Sequence, residues 1–510
     1  MLHNKRITKS NGFLYWAIAA LSLLLGACGS MSPTLQDDSN QHTRGSSTLG
    51  SFGSVDRENN ATRDTTRVDE GMGLVGRNLL IDPLLRPFST TAALFSLAGK
   101  SVGGLAERTM IGQVRFPQLE NKPIPPVSHA APMDLHDWER ELDEITGEET
   151  SFGSIRFHVN GDEYYPRITE AIQNAEDSIS VQTYIFDNDD VALDFANQLR
   201  AKSGDVDVRV MADGLGNYIA SRLDSESMPE DTELPSSMTN YLTYDSTVAY
   251  RRHSNPWLTG DHSKLTVIDE ERAFVGGMNI GREYRYDWHD LMMEVEGPIV
   301  HELQFEFDLA WAQAGWGGDF AWTLRALRGF TRDDSKRGVP IRVITTSLHD
   351  SELYRAQIAA IRRAQSYIYI QNAYFSDDKI LFELALARRR GVDVRVILSA
   401  DNDSNVLALS NQKTINDMLR NGIRVYAYPG MTHVKAAVYD GWACLGSANF
   451  DKLSLQINRE LNLATSDPAT VQRLLSRVFW PDFNEATELH KPVQLYARHH
   501  LAEFLADEFF

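Results

Sequence analysis

The stretch DHSKLTVID, residues 261–269, returns near the other end of the chain as MTHVKAAVYD, residues 431–440. In each, a His is followed two places on by a Lys and five places after that by an Asp: His262, Lys264 and Asp269 in one, His433, Lys435 and Asp440 in the other. Both run on into a turn, Gly276-Gly277-Met278-Asn279 and Gly446-Ser447-Ala448-Asn449. The second Asp-to-Gly gap is one residue shorter, which a turn can absorb. Residues two apart share a face of a β-strand, so each His and its Lys point the same way. The glycines let the backbone carry each Asn towards that face.

Two imidazoles, two ammonium groups and two carboxamides in one cleft suit an anion whose charge is spread over several oxygens, which is what a phosphate presents. One His can attack phosphorus while the other protonates the leaving oxygen, an acid contribution of about 10²- to 10⁴-fold. No metal is required, because the lysines supply positive charge. Eleven residues beyond each Asn stands a carboxylate, Asp290 in one copy and Glu460 in the other. Either could hold the non-reacting nitrogen of a histidine and favour its charged form; which carboxylate meets which His is open at this level. Asp269 and Asp440 belong to the same constellation, but at strand ends a structural hydrogen-bonding role is favoured over direct chemistry. Gln182, Tyr184, Gln371 and Tyr374 end the expected central strands near the pocket, with packing slightly favoured.

The repetition extends outward. RITEAIQNAEDSISVQTYIF (167–186) and QIAAIRRAQSYIYIQNAYF (357–375) each place a helix-period segment before an alternating strand, and VDVRVMAD (206–213) matches VDVRVILSAD (392–401). Helices alternating with strands give an α/β architecture, and duplication of a whole half predicts two similar domains about an approximate two-fold axis. The doubled His-x-Lys-x4-Asp with its trailing Gly-x-x-Asn turns resembles the signature of the phospholipase D superfamily over about residues 155–485, and residues 254–284 and 290–300 are most similar to its cardiolipin synthase-like branch. Gly277 stands where the superfamily pattern often has the Ser that Ser447 supplies. The resemblance implies two phospholipase D-like α/β domains sharing one central site and a covalent phosphohistidine. It also implies His262 as nucleophile and His433 as acid and then base. Expected domains are 151–335 and 336–510. The implied reaction is phosphatidyl transfer to an alcohol or hydrolysis of a phospholipid; a nuclease of the same superfamily is the alternative, and a non-catalytic scaffold is disfavoured because both copies keep their His, Lys, Asp and Asn. The acceptor and the oligomeric state have no spacing signature.

At 510 residues the chain is long enough for two cores, and a formal charge of −20 disfavours nucleic acid as partner. Two cysteines, Cys28 and Cys444, exclude a disulfide framework or a Cys-based zinc site. Lys5, Arg6 and Lys9 precede the apolar run 13–28, which ends in LGAC. That pattern predicts an export signal over 1–27 and, by resemblance to bacterial lipoproteins, lipidation of Cys28. Gly29 in the next place points to the periplasmic face of the outer membrane, with a phospholipid substrate reached through the lipid anchor. A polar tether from Gly29 to about Arg67, a more apolar segment 78–100 with packing on the domain favoured over membrane contact, and a Pro-rich linker 116–132 complete the N-terminal part, within 28–150. The folded body is expected from about Ser154. LARRRG, 386–391, reads as a solvated helix end, Trp311 and Trp316 as core, and Cys444 as a small buried residue.

Overall fold

A computed structural model describes residues 73–495, except 75, 221–224, 226, 230–231, 254–256, 258, 334, 348–349, 403–404 and 493. The expected signal peptide, Cys28 and the polar tether lie outside the described residues. The first repeat forms β1 (Ser151–Val159), β2 (Ser178–Thr183), β3 (Asp207–Asp213), β4 (Ala249–His253), β5 (Leu265–Ile268), β6 (Arg272–Gly276) and β7 (Leu291–Glu296), in the sheet order β1-β7-β6-β5-β2-β3-β4. The second forms β8 (Val339–Thr346), β9 (Tyr367–Gln371), β10 (Asp393–Ser399), β11 (Arg424–Tyr428), β12 (Ala436–Tyr439), β13 (Trp442–Gly446) and β14 (Glu460–Thr465). Its order, β8-β14-β13-β12-β9-β10-β11, repeats the first, with β15 (Thr487–Leu489) added at the outer edge. Within each half the β2-β3-β4 and β9-β10-β11 strands are parallel and the hairpin strands antiparallel. β1 meets β8 antiparallel, Ser151 opposite Ile341 and Gly153 opposite Val339, so one continuous sheet crosses the junction.

The inner strands are buried on both faces, as VDVRV-type runs packed between helices require. On one face a single core serves both halves: Phe157, Leu303 and Phe307 of the first pack with Val471, Leu474 and Val478 of the second. The opposite face carries separate cores, around Phe195 and Phe274 in the first half and around Phe375 and Trp442 in the second. Helices α1 (Pro87–Met110), α2 (Leu135–Thr146), α3 (Asp190–Lys202), α4 (Ile299–Ala314), α5 (Gly318–Arg328) and α6 (Asp378–Arg389) supply much of this cover. Asp189 and Asp377 cap α3 and α6 at matched positions, their carboxylates accepting from Ala192 N and Ile380 N.

Four expectations change. The folded body begins well before Ser154, since Trp138 of α2 packs edge-on against Trp442 at 5.1 Å. The Pro-rich segment is a strap on the second half rather than a linker: Phe116 and Leu119 are buried, and Ser128 N donates to Gly391 O at 2.7 Å. LARRRG is not a solvated helix end. Arg388 donates to Gly422 O and Pro125 O, Arg389 to Asn421 O, and Arg390 to Ile361 O, so the guanidinium groups tie down chain turns. Trp311 stacks on Phe307, but Trp316 is 89% exposed and belongs to no core. Residues 78–100 do pack on the domain, through buried Asn78, Asp82 and Arg86, yet leave Leu84 and Phe88 about four-fifths exposed. No helix among the described residues is long and apolar enough to cross a membrane.

Candidate active site

The site lies where the halves exchange backbone pairing. The chain entering β5 pairs with the residue before β14: His262 N donates to Arg459 O at 2.8 Å, and Arg459 N donates to Gly260 O. The chain entering β12 does the same with the residue before Asp290, His433 N donating to His289 O at 2.6 Å and His289 N to Met431 O. Each histidine is thereby carried to the carboxylate of the other half. His262 Nδ1 lies 3.0 Å from Glu460 Oε1, and His433 Nδ1 lies 2.7 Å from Asp290 Oδ2. The pairing that the sequence left open is crosswise.

Behind each imidazole the lysine folds back, Lys264 Nζ donating to His262 O and Lys435 Nζ to His433 O, both at 2.7 Å. Gln182 and Gln371 brace the residue before each histidine, donating to Asp261 Oδ2 at 2.6 Å and Thr432 Oγ1 at 2.9 Å. Asn279 holds the β2 end, its Oδ1 accepting from Ile185 N and its Nδ2 donating to the Tyr284 hydroxyl. Asn449 is buried at the equivalent place, and its Oδ1 has no hydrogen-bond partner among the described residues. Ser447 Oγ donates to Glu460 Oε2 at 2.5 Å. Gly277 faces Asp290 so closely that a Cβ there would lie 2.2 Å from Asp290 Oδ1.

Asp269 and Asp440 are corrected out of the chemistry. They stand at the far ends of β5 and β12, in left-handed backbone at φ 55° and 50°, and each carboxylate is consumed by backbone donors. Asp269 accepts from Glu176 N, Asp177 N and Ser178 N; Asp440 accepts from Met133 N, Gln365 N, Ser366 N and Tyr367 N. Their one-residue difference in spacing is a hairpin difference, β5 and β6 being joined by residues 269–271 and β12 and β13 by Asp440-Gly441 alone.

The two halves differ around the rings. Tyr184 packs edge-on against His262 at 4.8 Å with Lys264 Nζ 5.2 Å from its ring, whereas Ala373 holds its place in the second repeat. Trp288 and Tyr284 pack against His433 at 5.3 and 5.5 Å. Sequence reasoning passed over both, although Trp288 lies two residues before Asp290 and so shares its face. His289 is structural: its ring joins Asn160 Oδ1 and Asp482 Oδ2, each at 2.8 Å, and stacks on Tyr428.

Electrostatics sharpen the asymmetry. Burial, with Lys264 and Lys435 adding to it, holds His262 below the ordinary imidazole value against the pull of Glu460. Burial and then Lys435, Lys264 and His262 hold His433 well below it, so both rings and both lysines share one field. Burial pushes Asp290 up to about 7 against the attraction of Lys435. Burial works on Glu460 in the same sense, but His262, Lys264 and Ser447 outweigh it and hold the carboxyl below its usual range. Burial also brings Lys264 down to about 7, against the attraction of Glu460.

The family model for "Cardiolipin synthase, PLD-like domain" matches residues 168–311 and 357–480. The chain is 28% identical over 370 residues to a probable cardiolipin synthase, YwiE, of Bacillus subtilis, covering 68% of this chain and 69% of that one. It is 29% identical over 349 residues to cardiolipin synthase 1 of Bacillus anthracis, covering 65% of this chain and 66% of that one. With cardiolipin synthase B of Escherichia coli K12 it shares 29% identity over 334 residues, 61% of this chain and 76% of that one. The fold is also that of a phosphatidylserine synthase from Haemophilus influenzae, with a TM-score of 0.56 at 16% identity, covering 73% of this chain and 96% of that one. A duplicated α/β half, a crossed pair of histidine–carboxylate contacts and a model matched in both repeats place this chain in the cardiolipin synthase-type, phospholipase D-like family.

Proposed function

We propose that the protein transfers phosphatidyl groups between alcohols, passing the group from one phosphatidylglycerol to a second and so making cardiolipin. The observation that carries this is the crossed pairing of His262 with Glu460 and His433 with Asp290 in one buried pocket backed by two lysines.

The two carboxyls support an assignment of roles. Glu460, held ionised, accepts the Nδ1 proton of His262, which leaves Nε2 of a neutral ring with a free lone pair: the nucleophile. Asp290, carrying its proton to about neutral pH, donates to Nδ1 of His433 and leaves that ring's proton on Nε2: the acid. Attack forms the His262 Nε2–phosphorus bond and breaks the bond from phosphorus to the head-group oxygen. His433 protonates that oxygen, and the Asp290 proton crosses to His433 Nδ1. In the second half-reaction His433 Nε2 takes the proton of the incoming hydroxyl and its Nδ1 proton returns to Asp290, while the hydroxyl oxygen attacks phosphorus, breaks the His262 Nε2–phosphorus bond and frees His262. Lys264 and Lys435 face the phosphoryl oxygens throughout. The names of the relatives support a phospholipid substrate and cardiolipin as the product.

The protein is further proposed to be a lipoprotein, cleaved before Cys28 and held through its acylated sulfur at the periplasmic face of the outer membrane. The basic residues 5–9, the apolar run and LGAC support this. Labelled palmitate incorporated by the native chain and lost in Cys28→Ser is the expected result.

The reaction is tested with isotopically labelled phosphatidylglycerol and mass spectrometry of the lipid products. Cardiolipin plus glycerol is expected, with His262→Ala and His433→Ala inactive. Phosphatidic acid as sole product would replace the alcohol by water. Cleavage of single-stranded DNA without lipid turnover would overturn the reading in favour of a nuclease.

A further inference from the structure

We infer that α1 and α5 form a face that seats the protein on an anionic phospholipid bilayer, with the mouth of the catalytic pocket against the lipid. Of the eighteen large apolar side chains left exposed among the described residues, seven fall between positions 80 and 114 and six between 316 and 330. These two stretches are far apart in sequence and adjacent in space. Phe88 N and Ser89 N donate to Asp319 Oδ2 at 2.8 and 2.9 Å, and Arg86 reaches Gln313 O and Ala314 O. Gly318 sits so close that a Cβ would lie 2.3 Å from Leu85 O. Leu80, Leu84 and Phe88 on one side and Trp316, Phe320 and Leu327 on the other thus belong to one patch, and an exposed patch of that kind marks an interaction surface.

Charge selects the occupant. The chain has a net charge of −20, yet along segments 77–115 and 316–332 Arg115 and Arg328 are exposed and Arg77 is half-exposed, whereas Asp82 and Asp319 are buried. Apolar side chains with an excess of positive charge fit the head-group boundary of an anionic bilayer. Position gives the orientation. The Trp257 indole, five residues before His262, donates to Thr90 O at 2.9 Å, and farther along α1 Lys100 Nζ donates to Ser351 Oγ at 3.2 Å and to Gln456 O. Gly104 lies against Lys452. The helix therefore runs from Trp257, five residues before His262, to Gln456, four residues before Glu460, so both of its ends touch chain that leads into the site. The inference rests on the lipid reading above for what enters the pocket, but the face itself is tested apart from turnover.

The test uses the full chain with Cys28→Ser, so that acylation cannot supply the attachment; Cys444 is buried, with its thiol pushed up to about 12, and stays unlabelled. An environment-sensitive fluorophore is placed on Leu84→Cys, Leu327→Cys and, as reference, exposed Thr487→Cys. With vesicles of phosphatidylglycerol and phosphatidylethanolamine, the probes at 84 and 327 are expected to shift to the blue and to be quenched by brominated lipid, while the probe at 487 does not change. Leu84→Glu with Phe88→Glu is expected to lower turnover of vesicle lipid by about tenfold or more while leaving turnover of monomeric short-chain phosphatidylglycerol intact. Probes that stay in water on vesicle-bound protein overturn the inference. So does a dimer in the absence of lipid that the double variant abolishes, which would assign the face to a second copy. If no lipid of either kind is turned over, the catalytic reading fails while the fluorescence still decides the face.

Discussion

Gly277 and Ser447 occupy the same place in the two repeats, and the carboxylate each faces accounts for their difference. Glu460 is long enough to leave room for a hydroxyl that donates to it, whereas the shorter Asp290 holds its oxygens where a Cβ would fall. Gly277→Ser is therefore expected to push Asp290 off His433 and lower kcat by roughly a hundredfold with little loss of folding. Gly277→Ser combined with Asp290→Glu copies the second repeat and is expected to recover part of that loss. Steady-state kinetics check both, and a single variant as active as the native chain would remove Asp290 from the mechanism. The same residue governs pH dependence. Asp290 and Lys264 are both placed at about 7, one raised and one lowered by burial, and the reaction needs both protonated. As pH rises through 7, Asp290 loses the proton that supports the acid and Lys264 loses its charge, so log kcat/KM is expected to fall with a slope approaching two. In Asp290→Asn one of these protons no longer titrates. Its activity is expected to be lower by about a hundredfold, with the falling limb reduced to a slope of one.

At the scale of elements, the strand-turn-strand units around each motif show how far a sequence carries. β5 and β12 were legible because His and Lys at a two-residue spacing impose a face and the apolar runs after them suit buried strands. The glycine turns marked where those strands end. What could not be read was the partner of each histidine: Asp290 and Glu460 sit at the same offset, so a periodic signal cannot distinguish a contact within a half from one across it. The LARRRG cluster misled for a related reason, because the carbonyls that it binds come from turns distant in sequence. Trp316 misled because an aromatic residue at a helix end reads as core whether or not anything covers it. Asp269 and Asp440 were the informative middle case, conspicuous in the motif yet placed by φ and by backbone donors as braces of the strand beginnings. Asp440→Ala leaves four N–H groups without their acceptor and is expected to cost about 2–4 kcal/mol in denaturant unfolding. The protein that remains folded is expected to keep its kcat, which separates a brace from a catalytic acid.

Across the whole molecule, the site exists only if the two halves keep their register, because each contributes one histidine and the carboxylate that the other histidine needs. That register is set where β1 meets β8. A Cβ at Gly153 would lie 2.6 Å from Glu296 O and 2.8 Å from Ile299 Cγ2, and Gly338, at φ 98°, approaches Gly153 O from the other repeat. Glycine at both positions lets the strands close to pairing distance at the seam. Gly153→Val is expected to cost about 1–3 kcal/mol through overpacking, comparable to Asp440→Ala, but with a different functional consequence. Forcing β1 from β8 shifts one half against the other, and a displacement of about 1 Å between reacting groups lowers rates by roughly a hundredfold. The two variants, assayed under conditions where both are folded by circular dichroism, thus make a controlled pair: Asp440→Ala active, Gly153→Val nearly inactive. Equal activity in the two would mean that the histidine–carboxylate contacts hold the halves in register by themselves, and that the sheet junction is dispensable for chemistry.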